Sequence, residues 1–423
     1  MSNSELLAKR EQILGKAQLF YREPVQIVRG QGVLLYDQHD QQYIDMYNNV
    51  PCVGHGNPSV VAALQQQMAE LNVHSRYLHP GIIDFGKRLL DHHADHLDSI
   101  VFSCSGTEAV EVALMTARHA TGGQGIICTD ATYHGNSTEV GKMSARPVSD
   151  PRFRSIPFPQ SYRPLAEGVT EDELCQLYLN KVEEAIDDFA DKDIPFAGMI
   201  VCSILANEGL PDIPAGFMSQ AAALVRAAGG VFIADEVQAG YCRSGHWWGY
   251  QTSDFQPDIV VMGKPMGNGL PLSAVAANHD LIAAFRSKTG YFNTFASSPM
   301  QAAVGMAVLD VIEADNLLEN ATSIGRYLQT ELTKLQPDCD AMAEVRGRGL
   351  FIGIEWVNDR ERKVADRKGA FDVANRMKQK GFLISNAGAL GNVVKIRPPL
   401  VFKQEHADLF LSAFAEMLTE IKR

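Results

Sequence analysis

Between about residues 56 and 290 the chain alternates helical periodicity with short, almost wholly apolar runs. These are SIVFSC, GQGIICT, AGMIVCSI, GGVFIAD and PDIVVMG, each bounded by Gly, Pro, Asp or Ser. Strand–helix alternation of that length predicts an α/β domain with a mostly parallel sheet. The flanking regions read differently. Residues 1–20 look like a polar amphipathic helix without a core of its own, and QIVRGQGVLLYDQHDQQYIDMYN alternates around glycine and Asp-Gln turns as antiparallel strands do. VRGRGLFIGIEWV at 345–357 begins a separate α+β block. That block ends in a helix expected to set Leu409, Phe410, Phe414, Met417 and Ile421 on one face. The stretch 147–164, PVSDPRFRSIPFPQSYRP, reads as a proline-rich excursion. The expected organisation is an N-terminal segment (1–55), a large domain (56–300) and a small α+β domain (301–423).

Composition narrows the function. A net charge of −12 with no basic run argues against a nucleic-acid partner. No apolar stretch approaches membrane-spanning length, and MSNSELLAKREQILG lacks the apolar core of a signal peptide. Seven scattered cysteines without a CxxC pair suit reduced thiols, so a cytoplasmic location is expected.

In open α/β sheets functional groups gather at the carboxyl ends of strands. GGVFIADEVQAGYCRSG places Asp235 there, and Lys264 stands at the end of the next run, within VVMGKPMGNGLPLSAV. Taken alone, Asp235 also reads as a capping or turn aspartate, and Lys264 as a lysine reaching out to solvent. Together they suggest an electrophilic cofactor with an amine anchor at one end and a carboxylate at the other. An ammonium among apolar neighbours loses hydration, which favours its neutral, nucleophilic form. In FSCSGTEAVEVALMTAR a strand gives way to a helix opened by Ser105, Gly106 and Thr107, whose free N–H groups suit an anion. Ser105 and Glu108 also have capping-box spacing, and the two readings are compatible. No GxxxxGK[ST] occurs, which disfavours nucleotide triphosphate chemistry. TYHGNS supplies Tyr133 for stacking, although an isolated Tyr-His pair by default reads as packing plus a surface turn. His92 and His96 of DHHADH lie one turn apart but lack the HExxH glutamate, so no metal site is expected.

These pieces, in this order, resemble the class III aminotransferases, pyridoxal-phosphate enzymes of fold type I. The resemblance runs from LLYDQHDQQYIDMYNNVPCVGHGNP to VVKIRPPLVF, and its most specific part is ADEVQAGYCRSG followed by VMGKPMGNGLPLSAV. It implies that Lys264 carries pyridoxal 5'-phosphate as an imine, that Asp235 pairs with the ring nitrogen and that Gln238 reaches the ring hydroxyl. It also implies that Tyr133 stacks on the ring, with Ser105, Gly106 and Thr107 at the phosphate. Thr294 of FNTFASSP would complete that cradle from a second subunit, making the expected assembly a homodimer or dimer of dimers with a shared site. Glu208 of LANEGLP matches the family's active-site glutamate, and Tyr21 falls on the substrate side.

Two departures bear on the substrate. Where many members carry an arginine three residues before PPL, this chain has Lys395, with Arg397 directly before Pro398. The loop from Glu208 to PAGF also looks short. The Lys-x-Arg-Pro-Pro pattern, with GYFNTF and VRGRGLFIG, is most similar to the phospho-lyase branch of ethanolamine-phosphate and phosphohydroxylysine type and its amino-phosphonate relatives. Two cations beside a pocket suit a dianion better than one carboxylate; the alternative is a surface lysine and a structural arginine. The leading expectation is transfer of an amino group from a primary amine to a keto acid. Elimination of phosphate or ammonia follows close behind. A catalytically silent cofactor-binding module is disfavoured, since lysine, aspartate and phosphate cradle are all present.

Overall fold

A helix at Asn3–Leu14, with no buried residue, precedes an antiparallel meander of Ile27–Gln31 (β1), Leu34–Asp37 (β2) and Gln42–Asp45 (β3). The central sheet is built from Ser99–Ser103 (β4), Gly125–Thr129 (β5), Phe153–Ile156 (β6), Phe196–Cys202 (β7), Val231–Asp235 (β8), Ile259–Met262 (β9) and Ser273–Ala277 (β10). Their order across it is β4-β10-β9-β8-β7-β5-β6. The pairs from β9 to β6 are parallel, while β10 runs antiparallel to both neighbours. Every residue of β5, β8 and β9 is buried. Helices cover both faces of such a sheet, so these strands carry continuous apolar sequence instead of an alternation. The computed structural model describes residues 2–144, 149–253 and 255–421.

A second sheet contains Met342–Arg348 (β11), Phe351–Asp359 (β12), Val364–Ala365 (β13), Ser385–Ala387 (β15) and Val393–Ile396 (β16), all paired antiparallel. The short strand between, Phe382–Leu383 (β14), joins the N-terminal meander by pairing parallel with β3. The helix Pro299–Ala314 opens just before the boundary expected at 300 and packs on helices Pro58–Glu70 and Pro80–Leu90. Among the described residues no helix is long and apolar enough to cross a membrane.

Two sequence expectations change. The supposed excursion at 147–164 contains edge strand β6, paired parallel with β5; its residues 147 and 148 lie outside the described residues. The C-terminal helix, Gln404–Ile421, buries Ala407, Phe410, Phe414, Met417 and Leu418. Leu409 turns outward at 58% exposure and Ile421 at 38%. Leu409 sits about 100° around the helix from Phe410, off the stripe that the 3.6-residue repeat places against the core.

Candidate active site

The carboxyl ends of β5, β7, β8 and β9 open on one edge of the central sheet, beside the helix that follows β4. A cavity of about 380 Å³ lies there, lined among others by Ser105, Gly106, Thr107, Tyr133, His134, Asp235, Gln238 and Lys264. The helix Gly106–Thr121 begins with a complete capping box: Ser105 Oγ accepts from the Glu108 amide, while Glu108 accepts from the Ser105 amide. The amides of Gly106 and Thr107, first in that helix, have no acceptor within it. Gly135 closes against the same turn at φ +148, and a Cβ there would lie 2.5 Å from Thr107 Oγ1. Glycine is therefore required for the loop after β5 to reach the helix start.

Asp235 is the last residue of β8, 6% exposed. Its Oδ1 accepts the Val237 amide at 3.0 Å, and its Oδ2 accepts Nδ1–H of His134 at 2.6 Å. The other ring nitrogen of His134 lies 3.0 Å from Thr132 Oγ1. His134 is thus a buried partner of the aspartate, correcting the surface-turn reading of TYHGNS. The available signal was its place in the loop that follows a strand end, directly before a glycine. Cys202 Sγ sits in the same cluster, its thiol pushed well up by burial and then by Asp235.

Lys264 follows β9 and adopts φ +34, an uncommon backbone for a residue with a Cβ. Its amine is pushed below the ordinary lysine value, by burial first and by Arg397 as well, against the attraction of Asp235. The neutral, nucleophilic form is favoured accordingly.

The remaining expected residues fall in three places. Tyr133 is 43% exposed on the cavity wall, its hydroxyl accepting from Asn136 Nδ2 at 2.7 Å. Gln238 is half-buried on the wall; its Nε2 donates to Asn207 Oδ1 at 3.2 Å, and its Oε1 accepts from Arg397 Nη1 and, at 3.5 Å, from Lys395 Nζ. Lys395 and Arg397 are both buried, at 4% and 5% exposure, which removes the surface-lysine reading. Lys395 also donates to the Ala206 carbonyl and Arg397 to the Tyr47 carbonyl. Glu208 lies behind the wall, its carboxyl raised by burial; Oε1 accepts weakly from Thr129, and Oε2 has no partner. Tyr21 is turned away, donating to the Ile384 carbonyl at 2.8 Å, and does not line the cavity. Thr294 is exposed and does not line it either. His92 stacks on Trp247 while His96 bonds the Pro257 carbonyl, so the two rings serve separate contacts.

This donor set fits pyridoxal phosphate. A depressed amine, a buried carboxylate held by an imidazole, an exposed aromatic face and two uncommitted helix amides share one cavity. Lys264 would hold the group covalently, Asp235 would face its ring nitrogen, and Gly106 and Thr107 would hold its phosphate.

Comparison with known proteins agrees. The family model described as aminotransferase class-III matches residues 20–418. The Drosophila melanogaster protein named alanine--glyoxylate aminotransferase 2-like is 38% identical across all of this chain and 88% of its own length. Ethanolamine-phosphate phospho-lyase homolog 1 of Caenorhabditis elegans is 33% identical, covering all of this chain and 95% of its own. A solved phospholyase from Arthrobacter, in complex with phosphoethanolamine, superposes with a TM-score of 0.94 at 36% identity, over 98% of this chain and 99% of that one. An (S)-enantioselective omega-transaminase from Thermomicrobium roseum matches with a TM-score of 0.89 at 26% identity, over both chains in full. Enzymes of this kind use pyridoxal phosphate and act on small amines, and the fold here is theirs. The chain belongs to the class III aminotransferase family of pyridoxal-phosphate-dependent enzymes.

Proposed function

We propose that the enzyme acts on a small primary amine carrying a phosphate at its far end, and that it eliminates that phosphate. The observation that carries this reading is the pair Lys395 and Arg397. Both are buried, both reach the cavity wall through Gln238, and among the described residues neither forms an ion pair with a carboxylate. Burying a cation without a counter-ion costs several kcal/mol, as a general estimate. Lys395 is held well below the ordinary lysine value, by burial first and then by Arg397 and Lys264. An arriving dianion supplies the missing charge and restores both cations. The likeness to a phospholyase that binds phosphoethanolamine supports the same reading.

Pyridoxal phosphate, when bound, supplies an electron sink that makes a proton on the amine-bearing carbon removable. Lys264 Nζ is the base that takes this proton. Asp235 is held on the cavity wall by His134 and by the Val237 amide, where it would face the cofactor's ring nitrogen. Lys395 and Arg397 hold the phosphate as the carbon–oxygen bond breaks; that bonding pair leaves with the phosphate, the pair left by the proton closes a carbon–carbon double bond, and water then converts the unsaturated amine to an aldehyde and ammonia.

Transfer of the amino group to a keto acid is the second reading, favoured by the 38% relative named as an aminotransferase and by the omega-transaminase neighbour. The two part in one assay. Incubation with phosphoethanolamine should release phosphate and ammonia without any keto acid. Formation of a new amino acid only when keto acid is supplied, with no free phosphate, would establish transamination instead. Lys395→Met and Arg397→Met should each lower activity on the phosphorylated amine about ten- to hundred-fold, the worth of one charge-assisted contact. An uncharged amine, which makes no ionic contact with either side chain, should lose far less.

We also infer that a second copy of the chain completes the site, with Thr294 reaching the phosphate cradle. Phe295, Leu78 and Ile83 are strongly exposed apolar side chains, as a covered face requires.

A further inference from the structure

We propose that Gln238 is a positioning residue that caps Lys395 and Arg397 until the substrate's anion displaces it, so that head-group binding is felt at Asp235 and Lys264. This rests on the phosphate reading above and adds to it a link between the two ends of the site.

The amide oxygen of Gln238 is the point on which both buried cations converge. Each cation also keeps a backbone acceptor, Ala206 for Lys395 and Tyr47 for Arg397. Both can therefore stay in place when Gln238 leaves. An amide oxygen carries only a partial charge, and a phosphate carrying nearly two full charges outcompetes it for the same donors. Departure of the amide also loosens its contact with Asn207, whose own Nδ2 is buried without a partner.

Gln238 lines the cavity that holds Lys264 and Asp235, and it stands three residues beyond Asp235. The turn between them contains the Val237 amide that bonds Asp235 Oδ1. A change at Gln238 is thus transmitted over a single short turn to the carboxylate that meets the cofactor's ring.

The test uses the holoenzyme with inorganic phosphate as probe, read by calorimetric affinity and by the visible absorption of the bound cofactor. Wild type should bind phosphate with a shift of that absorption. Gln238→Ala should bind it about ten-fold tighter, equivalent to about 1.4 kcal/mol, with no absorption shift. Gln238→Asn keeps the amide but shortens its reach, and should behave like the alanine variant even if the latter folds poorly. If both variants bind phosphate with wild-type affinity and shift the absorption as wild type does, Gln238 is not the link, and the anion site stands without it. If wild type fails to bind phosphate, or Lys395→Met binds it equally well, the phosphate reading falls and takes this inference with it.

Discussion

Replacing His134 tests whether its contact with Asp235 serves catalysis or only packing. The two ring nitrogens do different things: Nδ1 bonds Asp235 Oδ2 at 2.6 Å, while Nε2 meets Thr132 Oγ1 at 3.0 Å. Asparagine places an amide nitrogen where Nδ1 was, and glutamine reaches the place of Nε2. His134→Asn therefore keeps the contact with the aspartate, and His134→Gln keeps the contact with Thr132. A hydrogen bond to a charged group is worth about 1.5–3 kcal/mol, and burial of both partners places this one toward the upper end. Loss of the bond should lower turnover roughly ten- to hundred-fold at about 1.4 kcal/mol per decade. His134→Gln and His134→Ala should show that loss, and His134→Asn should stay within about three-fold of wild type. The assay is kcat together with the pH titration of the cofactor's absorption, whose midpoint should move in the glutamine and alanine variants only. A merely structural histidine gives a different pattern. If Asn and Gln lose activity equally and in proportion to their melting temperatures, the positioning role is refuted.

Other consequences are as direct. Gly135→Ala puts a Cβ 2.5 Å from Thr107 Oγ1 at φ +148; strain of about 1–3 kcal/mol should weaken cofactor binding by about five-fold to a little over a hundred-fold, and unchanged affinity would show the loop free to yield. His93 stacks on Trp248 and is pushed down to about 3, chiefly by burial. The unfolded chain therefore takes up a proton below about pH 6.5 that the folded chain refuses until about pH 3, so this residue's contribution to stability falls with pH across that window, by about 1.4 kcal/mol per unit. His93→Phe should flatten the acid side of the melting-temperature profile, and an unaltered slope would contradict the burial argument. Borohydride reduction and peptide mapping should find the cofactor on Lys264 and on no other lysine. Mixing inactive Lys264→Ala with inactive Thr294→Ala protein should restore some activity if the site is shared, whereas a fully active monomer would exclude sharing.

The central strands were legible in the sequence because burial on both faces leaves a continuous apolar run, and each run ends where the backbone must turn. Asp235, Lys264 and Gly106 stood out for the same reason, as polar or minimal residues at the ends of such runs. The edge strand β6 was hidden because Phe153–Ile156 is short and half-exposed among prolines. The reversed direction of β10 was hidden too, since strand orientation leaves no mark on an apolar pattern. Local periodicity tells which face of an element is buried, but not which side chain from elsewhere meets it. His134 finds Asp235 across 101 residues, and Arg397 finds Gln238 across 159. Only the approach of β16 to the segments that follow β3, β7 and β8 turned Lys395 and Arg397 from a motif near the carboxyl end into two buried basic groups beside the cavity, because a charge is unpaired only relative to neighbours that tertiary structure supplies.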